Sequence, residues 1–214
     1  MFNIDNNQNQ ICAICGERLA TTRDHVPPAG IFPKPRPSDL ITIPCCFECN
    51  NSNSRWDEIF RVLMSLHVSR NDPEWQTILN KNVIPTLKHN LKLQQNIFEN
   101  FKSVLLITPS GILLEKGFEL NWNSEAYERV IERTIRGLHF HHTGEILGSR
   151  AKVHVKFLNN INKIAKTFEQ FPLRSIGNGQ VLYKTIFHPD IPLQSVWIFE
   201  FRGWMWSGGY VEPN

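Results

Sequence analysis

The cysteines of this 214-residue chain restrict its fold more than any other feature. All five lie before residue 50, and four of them form two Cys-x-x-Cys pairs, Cys12/Cys15 and Cys46/Cys49. Each pair presents two thiolates on one side of a turn, and two pairs supply the four tetrahedral ligands that structural zinc prefers. The disulfides of a secreted protein would instead be spread along the chain. The pattern therefore predicts a zinc-bearing module within residues 1–70.

The fifth cysteine, Cys45, is an alternative ligand to its neighbour Cys46. Only Cys46 has the two-residue spacing to Cys49, so we expect Cys46 to bind the metal and Cys45 to lie outside the ligand set. The competing interpretation is that all of these cysteines are ordinary buried side chains. Their paired spacing favours the metal site.

A polar pair lies in the long segment between the two cysteine pairs. Residues 16–45 are more than a simple zinc ribbon needs, and they contain Asp24-His25. Asn50 follows the last cysteine directly. A zinc ion that joins both ends of the segment would bring His25 and Asn50 to one small cleft. A histidine beside an aspartate is weak evidence by itself, so this interpretation depends on the zinc site.

Composition and apolar patterning indicate a cytoplasmic protein without a membrane partner. The N-terminus has no basic flank and no apolar run, which argues against a secretory signal. The longest aliphatic run, residues 104–107, is far too short to cross a bilayer. The net charge of +3 and the isoelectric point near 8.6 permit nucleic acid as a partner without requiring it. Binding to a polyanion depends on a local basic surface more than on total charge.

Apolar residues at helical spacing predict two long helices, residues 47–69 and 124–142. One or two shorter helices are predicted within 74–101, broken near Pro85 and preceded by a stop at Asn71-Asp72-Pro73. The polar face of the second long helix alternates in charge, so we expect its charged residues to be solvated. These residues are Glu125, Arg129, Glu132, Arg133 and Arg136.

The remainder of the chain has the patterning of strands. A hairpin is predicted around the turn Pro109-Ser110-Gly111, and alternation predicts three strands in the last third. These strands are residues 153–157, 181–187 and 196–201. Residues 71–214 are therefore predicted to form a mixed α/β region that packs on the module or extends it.

Together these features resemble the HNH, or ββα-metal, endonucleases. The resemblance rests on an ordered set of positions within residues 10–60, namely Cys12-x-x-Cys15, Asp24-His25, Asp39-Leu40 and Cys46-x-x-Cys49-Asn50. Cysteine-bearing members of that family hold a β-hairpin and a helix around a structural zinc. The resemblance implies an α+β fold with an N-terminal ββα-metal finger, followed by a mixed helical and antiparallel β region.

The resemblance also implies a role for each matching residue. His25 matches the first histidine of the motif, the general base that takes a proton from water. Asp24 matches the preceding carboxylate, which binds a catalytic divalent ion. Asp39 stands at the middle Asn position, whose residue orients the loop of the catalytic histidine. Asn50 stands at the final His position, as the second ligand of the catalytic ion.

Two of the three letters that name the motif therefore differ in this chain. Asn50 resembles the last residue of the resolvase-type members, which cut branched DNA, and an amide oxygen is an acceptable ligand for Mg²⁺. Asp39 can accept a backbone hydrogen bond, but it cannot also donate one as Asn does. The middle position is thus the weaker of the two matches.

These residue types suit the hydrolysis of a phosphodiester bond. A histidine with a pKa near 6.5 can take a proton from water, which contributes about 10²–10⁴-fold to the rate. One Mg²⁺ held by a carboxylate and an amide leaves coordination sites for phosphate and water. We therefore expect a metal-dependent endonuclease that acts on DNA in preference to RNA. The alternative is a zinc-stabilised nucleic-acid-binding module without catalytic activity.

Four basic residues flank the expected site and are candidates for contacts with phosphates, although each has the alternative of being an ordinary surface charge. They are Lys34, Arg36, Arg55 and Arg61. Asp57 would lie about 10 Å along a helix from Asn50, too far to share an ion. We expect Asp57 to orient a neighbour or to be solvated.

Two further groups in the second half of the chain have a structural and a functional interpretation. Three histidines end the helix 124–142, where imidazoles favour the helix dipole, and we prefer this interpretation to a second metal site. They are His139, His141 and His142. Four C-terminal aromatic residues are suited to base stacking, but core or interface packing is the simpler expectation. They are Trp197, Trp204, Trp206 and Tyr210.

Overall fold

Two short strands and a long helix form the N-terminal part of the protein in this computed structural model. Strand β1 (Thr22–His25) pairs antiparallel with β2 (Thr42–Cys45), so that Asp24 lies opposite Ile43. Helix α1 (Phe47–His67) follows directly. The structure describes residues 10–67, 73–99, 101–108, 110–120, 124–158, 167–203 and 205–214.

Short helices and a hairpin follow in the middle of the chain. Pro85 lies in the first turn of one of these helices, directly after a π-helical turn, so the chain stays helical from Pro73 to His89 and the predicted break near Pro85 is a change of helix type. The elements are α2 (Pro73–Ile78), a π-helical turn (Leu79–Val83), α3 (Ile84–His89), α4 (Leu91–Glu99), β3 (Phe101–Ile107) and β4 (Leu113–Leu120). Ser69, Asn71, Asp72 and Pro109 of the predicted boundaries lie outside the described residues.

A second long helix and a five-stranded antiparallel sheet make up the C-terminal part. Helix α5 (Ser124–Thr143) has nearly the predicted bounds, and all three predicted strands are present. Two further strands were not predicted from the sequence. The strands are β5 (Ala151–Phe157), β6 (Arg174–Ile176), β7 (Val181–Phe187), β8 (Ser195–Phe201) and β9 (Met205–Pro213). Their order in the sheet is β5-β9-β8-β7-β6, and the α+β class is therefore confirmed.

Helix α5 packs against the sheet on one side and against the N-terminal hairpin on the other. On the sheet side, a Cβ added to Gly209 of β9 would lie 2.1 Å from Ile135 Cδ1, so only glycine allows this contact. The rings of Phe60 in α1 and Phe201 in β8 meet edge to face at 5.9 Å. Side chains from both long helices and from the sheet thus belong to one buried cluster.

The expectation that Arg133 is solvated is wrong. Its side chain is 3% exposed, because α5 turns this position towards β1 and α1. There the guanidinium forms an ion pair with one carboxylate from each of these elements. Glu125 and Arg129, in contrast, are exposed and form an ion pair one helical turn apart. Among the described residues, the helices are all too short or too polar to serve as a membrane span.

Candidate metal centre and active site

The four predicted cysteine ligands converge. The Sγ atoms of Cys12, Cys15, Cys46 and Cys49 all lie within 4.8 Å of one another. A tetrahedral zinc with Zn–S bonds of about 2.3 Å would require sulfurs about 3.8 Å apart, which a small closure of this cluster provides. The four thiols therefore form a site that can hold a metal ion such as zinc.

Two local structures build this cluster. The first pair lies in a tight turn where the Gly16 N–H donates to the Cys12 carbonyl oxygen over 2.9 Å, and Gly16 has a φ of +71°. The second pair lies at the start of α1, and the Cys49 N–H donates to Cys46 Sγ over 3.3 Å. Arg18 also donates to the sulfurs of Cys46 and Cys49, over 3.2 and 3.3 Å. Donors aimed at sulfur stabilise the thiolate form that binds metal.

Cys45 lies beside the cluster and outside the set of four. Its Sγ is 4.0 Å from Cys12 Sγ, and both side chains are buried. The hydrogen bond between them lowers the pKa of Cys12 to about 4, and the same contact raises the pKa of Cys45. Cys45 is therefore a hydrogen-bond partner of Cys12 that lies outside the four-sulfur set. This geometry agrees with the choice of Cys46 over Cys45 as the ligand.

Asn50 connects the first turn of α1 to strand β1. Its Nδ2 donates to Thr22 Oγ1 over 3.1 Å and to the Arg23 carbonyl oxygen over 3.3 Å. A carbonyl oxygen can only accept, so the amide nitrogen must face β1 and Oδ1 is left to accept or to bind a cation. The helix thus carries an oriented amide to the residues that directly precede Asp24-His25.

Asp24 is a buried carboxylate at the end of β1, with 7% of its surface exposed. Its Oδ1 accepts the backbone N–H of His25 over 2.8 Å. Its Oδ2 accepts no hydrogen bond from the described residues and lies 3.5 Å from Arg133 Nε. Burial raises the pKa of Asp24, and the charge of Arg133 opposes this increase. Oδ2 is therefore buried beside a guanidinium without a hydrogen bond to it.

His25 is partly exposed beside this carboxylate. Burial lowers the pKa of its imidazole, and the nearby charge of Arg36 lowers it further. A lowered pKa keeps the ring neutral at neutral pH, which is the form that can accept a proton.

Arg133 of α5 lies between two carboxylates that come from different elements. Its Nη2 donates a hydrogen bond to Asp57 Oδ1 of α1, whereas its Nε approaches Asp24 without forming a hydrogen bond. The Asp57 side chain is 26% exposed, and burial raises its pKa to about 6 despite the guanidinium. Asp57 therefore orients a neighbour, as one of the two sequence interpretations expected. No local sequence pattern pointed to Arg133, because it lies in a distant helix.

Asp39 contacts the C-terminal sheet. Both of its carboxylate oxygens accept the backbone N–H of Asn178, over 3.1 and 3.0 Å, in the turn between β6 and β7. Phe32 packs on the same turn, where a Cβ on Gly177 would lie 2.1 Å from the ring. The segment after His25 is thus held against the sheet at two points. The contacts of Asp39 are made with that turn and not with the backbone around His25.

The four basic candidates differ in their surroundings. Lys34, Arg36 and Arg55 are exposed, and the guanidinium of Arg55 stacks 5.3 Å from the ring centroid of Trp56. Arg61 is half-buried, and its Nη2 donates weakly to Thr86 Oγ1 over 3.4 Å. An open cleft of about 810 Å³ lies beside Arg61, between α1 and the α3–α4 region.

The histidines and aromatic residues of the C-terminal half range from buried to exposed, and His141 is exposed. His139 is 1% exposed, with Nδ1 3.4 Å from Ser195 Oγ, and His142 Nε2 lies 2.9 Å from the Tyr183 hydroxyl. Trp197 is fully buried. Trp206 and Tyr210 are partly buried, and Trp204 lies outside the described residues.

Comparisons with protein-family models, with curated proteins and with solved structures found no match to this chain.

Proposed function

We propose that the protein is a zinc-stabilised, metal-dependent endonuclease of the HNH type, which hydrolyses DNA in preference to RNA. The observation that carries the proposal is the contact of Asn50 with β1. Residues that are far apart in sequence meet beside one sulfur cluster, and the oriented amide lies next to Asp24-His25. The order of two antiparallel strands and a helix agrees with the HNH resemblance.

Each residue has a stated task in this proposal. His25, held neutral by burial, accepts the proton of the attacking water. Asp24 Oδ2, which accepts no hydrogen bond from the described residues, and Asn50 Oδ1, the amide atom that does not donate to β1, are the oxygens that would hold Mg²⁺ or a similar ion. The bound ion would stabilise the charge that develops on the phosphate and on the leaving oxygen. Exposed Lys34, Arg36 and Arg55 would contact the phosphate backbone, and Arg61 would do so from its cleft.

Nicking of supercoiled plasmid tests the proposal most directly. The zinc-loaded protein should convert plasmid to the open-circular form with Mg²⁺ and should stop when a chelator is added. His25→Ala, purified in the same way, is the matched control for a contaminating nuclease. Equal nicking by the wild type and His25→Ala, or no nicking by either, would contradict the proposal.

One observation favours a second candidate function, a nucleic-acid-binding module that does not cleave. The cation beside Asp24 in this structure is the guanidinium of Arg133, whose Nε is 3.5 Å from Oδ2. If Arg133 alone balanced this carboxylate, Asp24 would have a structural role. A protein that binds DNA with the same affinity with and without Mg²⁺, and that never nicks it, would match this candidate.

A further inference from the structure

Arg133 makes unequal contacts with its two carboxylate neighbours. Its Nη2 donates a hydrogen bond to Asp57 Oδ1, while its Nε stays 3.5 Å from Asp24 Oδ2 without a hydrogen bond. A guanidinium has five N–H donors and can bond carboxylates through two of them at once. Arg133 is therefore hydrogen-bonded to Asp57 and only adjacent to Asp24.

The charges of the three residues leave an excess of negative charge that an added cation could balance. With both carboxylates ionised, two negative charges surround one positive charge, and the Arg133 side chain is 3% exposed. A buried net charge is costly unless a counterion reaches it. Asp24 Oδ2 is a buried oxygen that accepts no hydrogen bond from the described residues, so this is the position at which an added cation gains most.

We propose that Asp57 is a positioning residue that binds the Arg133 guanidinium and so leaves the Asp24 carboxylate free to hold a divalent cation. Asp57 itself does not touch the cation. The inference rests on the proposed divalent site at Asp24 and adds a residue that the HNH resemblance did not assign. It also explains why a buried arginine beside Asp24 is compatible with cation binding.

A cycle of charge-changing variants tests the inference by Mn²⁺ binding, with no nucleic acid present. The probe is Mn²⁺ added to zinc-loaded protein, with the free ion measured by electron paramagnetic resonance. Asp57→Asn removes one negative charge but keeps an oxygen acceptor for Arg133. The positive charge of Arg133 should then balance the negative charge of Asp24. The dissociation constant for Mn²⁺ should rise about tenfold, as loss of one nearby charge predicts for a divalent ion.

The double variant Asp57→Asn/Arg133→Gln separates positioning from ligation. It has the net charge of the wild-type trio, so it should recover most of the Mn²⁺ affinity that Asp57→Asn loses. If Asp57 were a ligand, the double variant would bind as weakly as the single one, and the inference would be overturned. Asp190→Asn, the same change at an exposed position, is the matched control and should bind Mn²⁺ like the wild type.

The wild-type arm distinguishes failure of the inference from failure of the proposed function. A wild type that binds no Mn²⁺ would remove the divalent site and with it the inference. A wild type that binds Mn²⁺ with the same affinity as Asp57→Asn would overturn the inference alone. Zinc content and thermal midpoint, measured on every variant, identify a variant that has lost its fold, and Asp57→Glu then provides a folded comparison that keeps the charge.

Discussion

Gly137 of α5 approaches Val26 so closely that a Cβ on Gly137 would lie 2.6 Å from Val26 Cγ1. The same atom would lie 2.9 Å from Ile43 Cδ1 of β2. Val26 and Ile43 are buried, so neither side chain can move into solvent. Helix α5 therefore fixes the position of the hairpin that carries Asp24-His25.

Gly137→Ala should consequently destabilise the protein. Overpacking of a closed core costs about 1–3 kcal/mol, and we expect the free energy of unfolding in urea to fall by that amount. Gly30→Ala is a matched control, because a Cβ there would meet only Arg61 Cδ and Nη1, at 3.8 and 3.9 Å. Equal stability of both variants would show that the hairpin and α5 adjust freely to each other.

Local sequence patterns predicted the regular elements well but not the contacts between them. The cysteine spacing identified the four sulfurs that converge, and periodicity placed α5 and strands β5, β7 and β8. Strand β9 was not predicted because Gly208 and Gly209 weaken a strand pattern. The structure requires a glycine at Gly209 for a reason that is not local, since Ile135 of α5 occupies the space of a side chain there.

The alternating charges along α5 were the sequence pattern that predicted the structure least well. Arg133 lies among alternating charges that normally indicate a solvated face, yet it is buried between Asp24 and Asp57. Neither partner is near it in sequence, so only the packing of α5 on the hairpin and α1 reveals the pair. In the same way, Asp39 resembles a motif position in sequence but contacts Asn178, far along the chain.

The cysteine cluster should hold one zinc per chain. Elemental analysis of purified protein should give one zinc, and Cys46→Ser should lose it because it removes a ligand of the converging set. Cys45→Ser should retain the zinc, since Cys45 contacts Cys12 but is not one of the four converging sulfurs. A protein without zinc, or loss of zinc in Cys45→Ser, would contradict the ligand assignment.

The buried histidines should make folding stability depend on pH. Burial lowers the pKa of His139 from its usual value to about 4, so the folded state holds it neutral while the unfolded chain takes up a proton below pH about 6.5. Stability from this group is therefore fully present above that pH and is lost as the pH falls towards 4, by up to about 1.4 kcal/mol per pH unit. Urea unfolding at several pH values measures the slope.

His139→Asn provides the comparison for that slope. Asparagine cannot titrate in this range, and its side chain can still reach Ser195, which lies 3.4 Å from His139 Nδ1. The variant should lose stability less steeply between pH 6.5 and 4, while release of zinc by acid affects both proteins equally. Parallel slopes for the two proteins would mean that His139 is protonated in the folded state.

His25→Ala should leave the fold and the zinc content intact and reduce DNA hydrolysis by about 10²-fold or more, the usual effect of losing a general base. The side chain is partly exposed, and the contact that the structure describes at this position is made by its backbone N–H with Asp24, which alanine retains. Single-turnover cleavage at saturating Mg²⁺ measures the effect on the chemical step. Hydrolysis at the wild-type rate would rule out this mechanism.

Asn50 provides the most specific test of the divalent site, because its amide serves two partners. Nδ2 holds α1 to Thr22 and Arg23, and Oδ1 is the proposed ligand. Asn50→Ala removes both functions, so activity should require more Mg²⁺ and the thermal midpoint should fall. Asn50→Asp keeps an oxygen ligand with added charge, which hard cations favour, but it loses the donor that faces the Arg23 carbonyl. It should therefore retain a Mg²⁺ requirement close to that of the wild type while losing stability.

Titration of nicking activity against Mg²⁺, with thermal melts of the same samples, separates the two effects. Superimposable Mg²⁺ curves for the wild type and Asn50→Ala would refute the ligand role and leave Asn50 as a residue that only joins the helix to the hairpin.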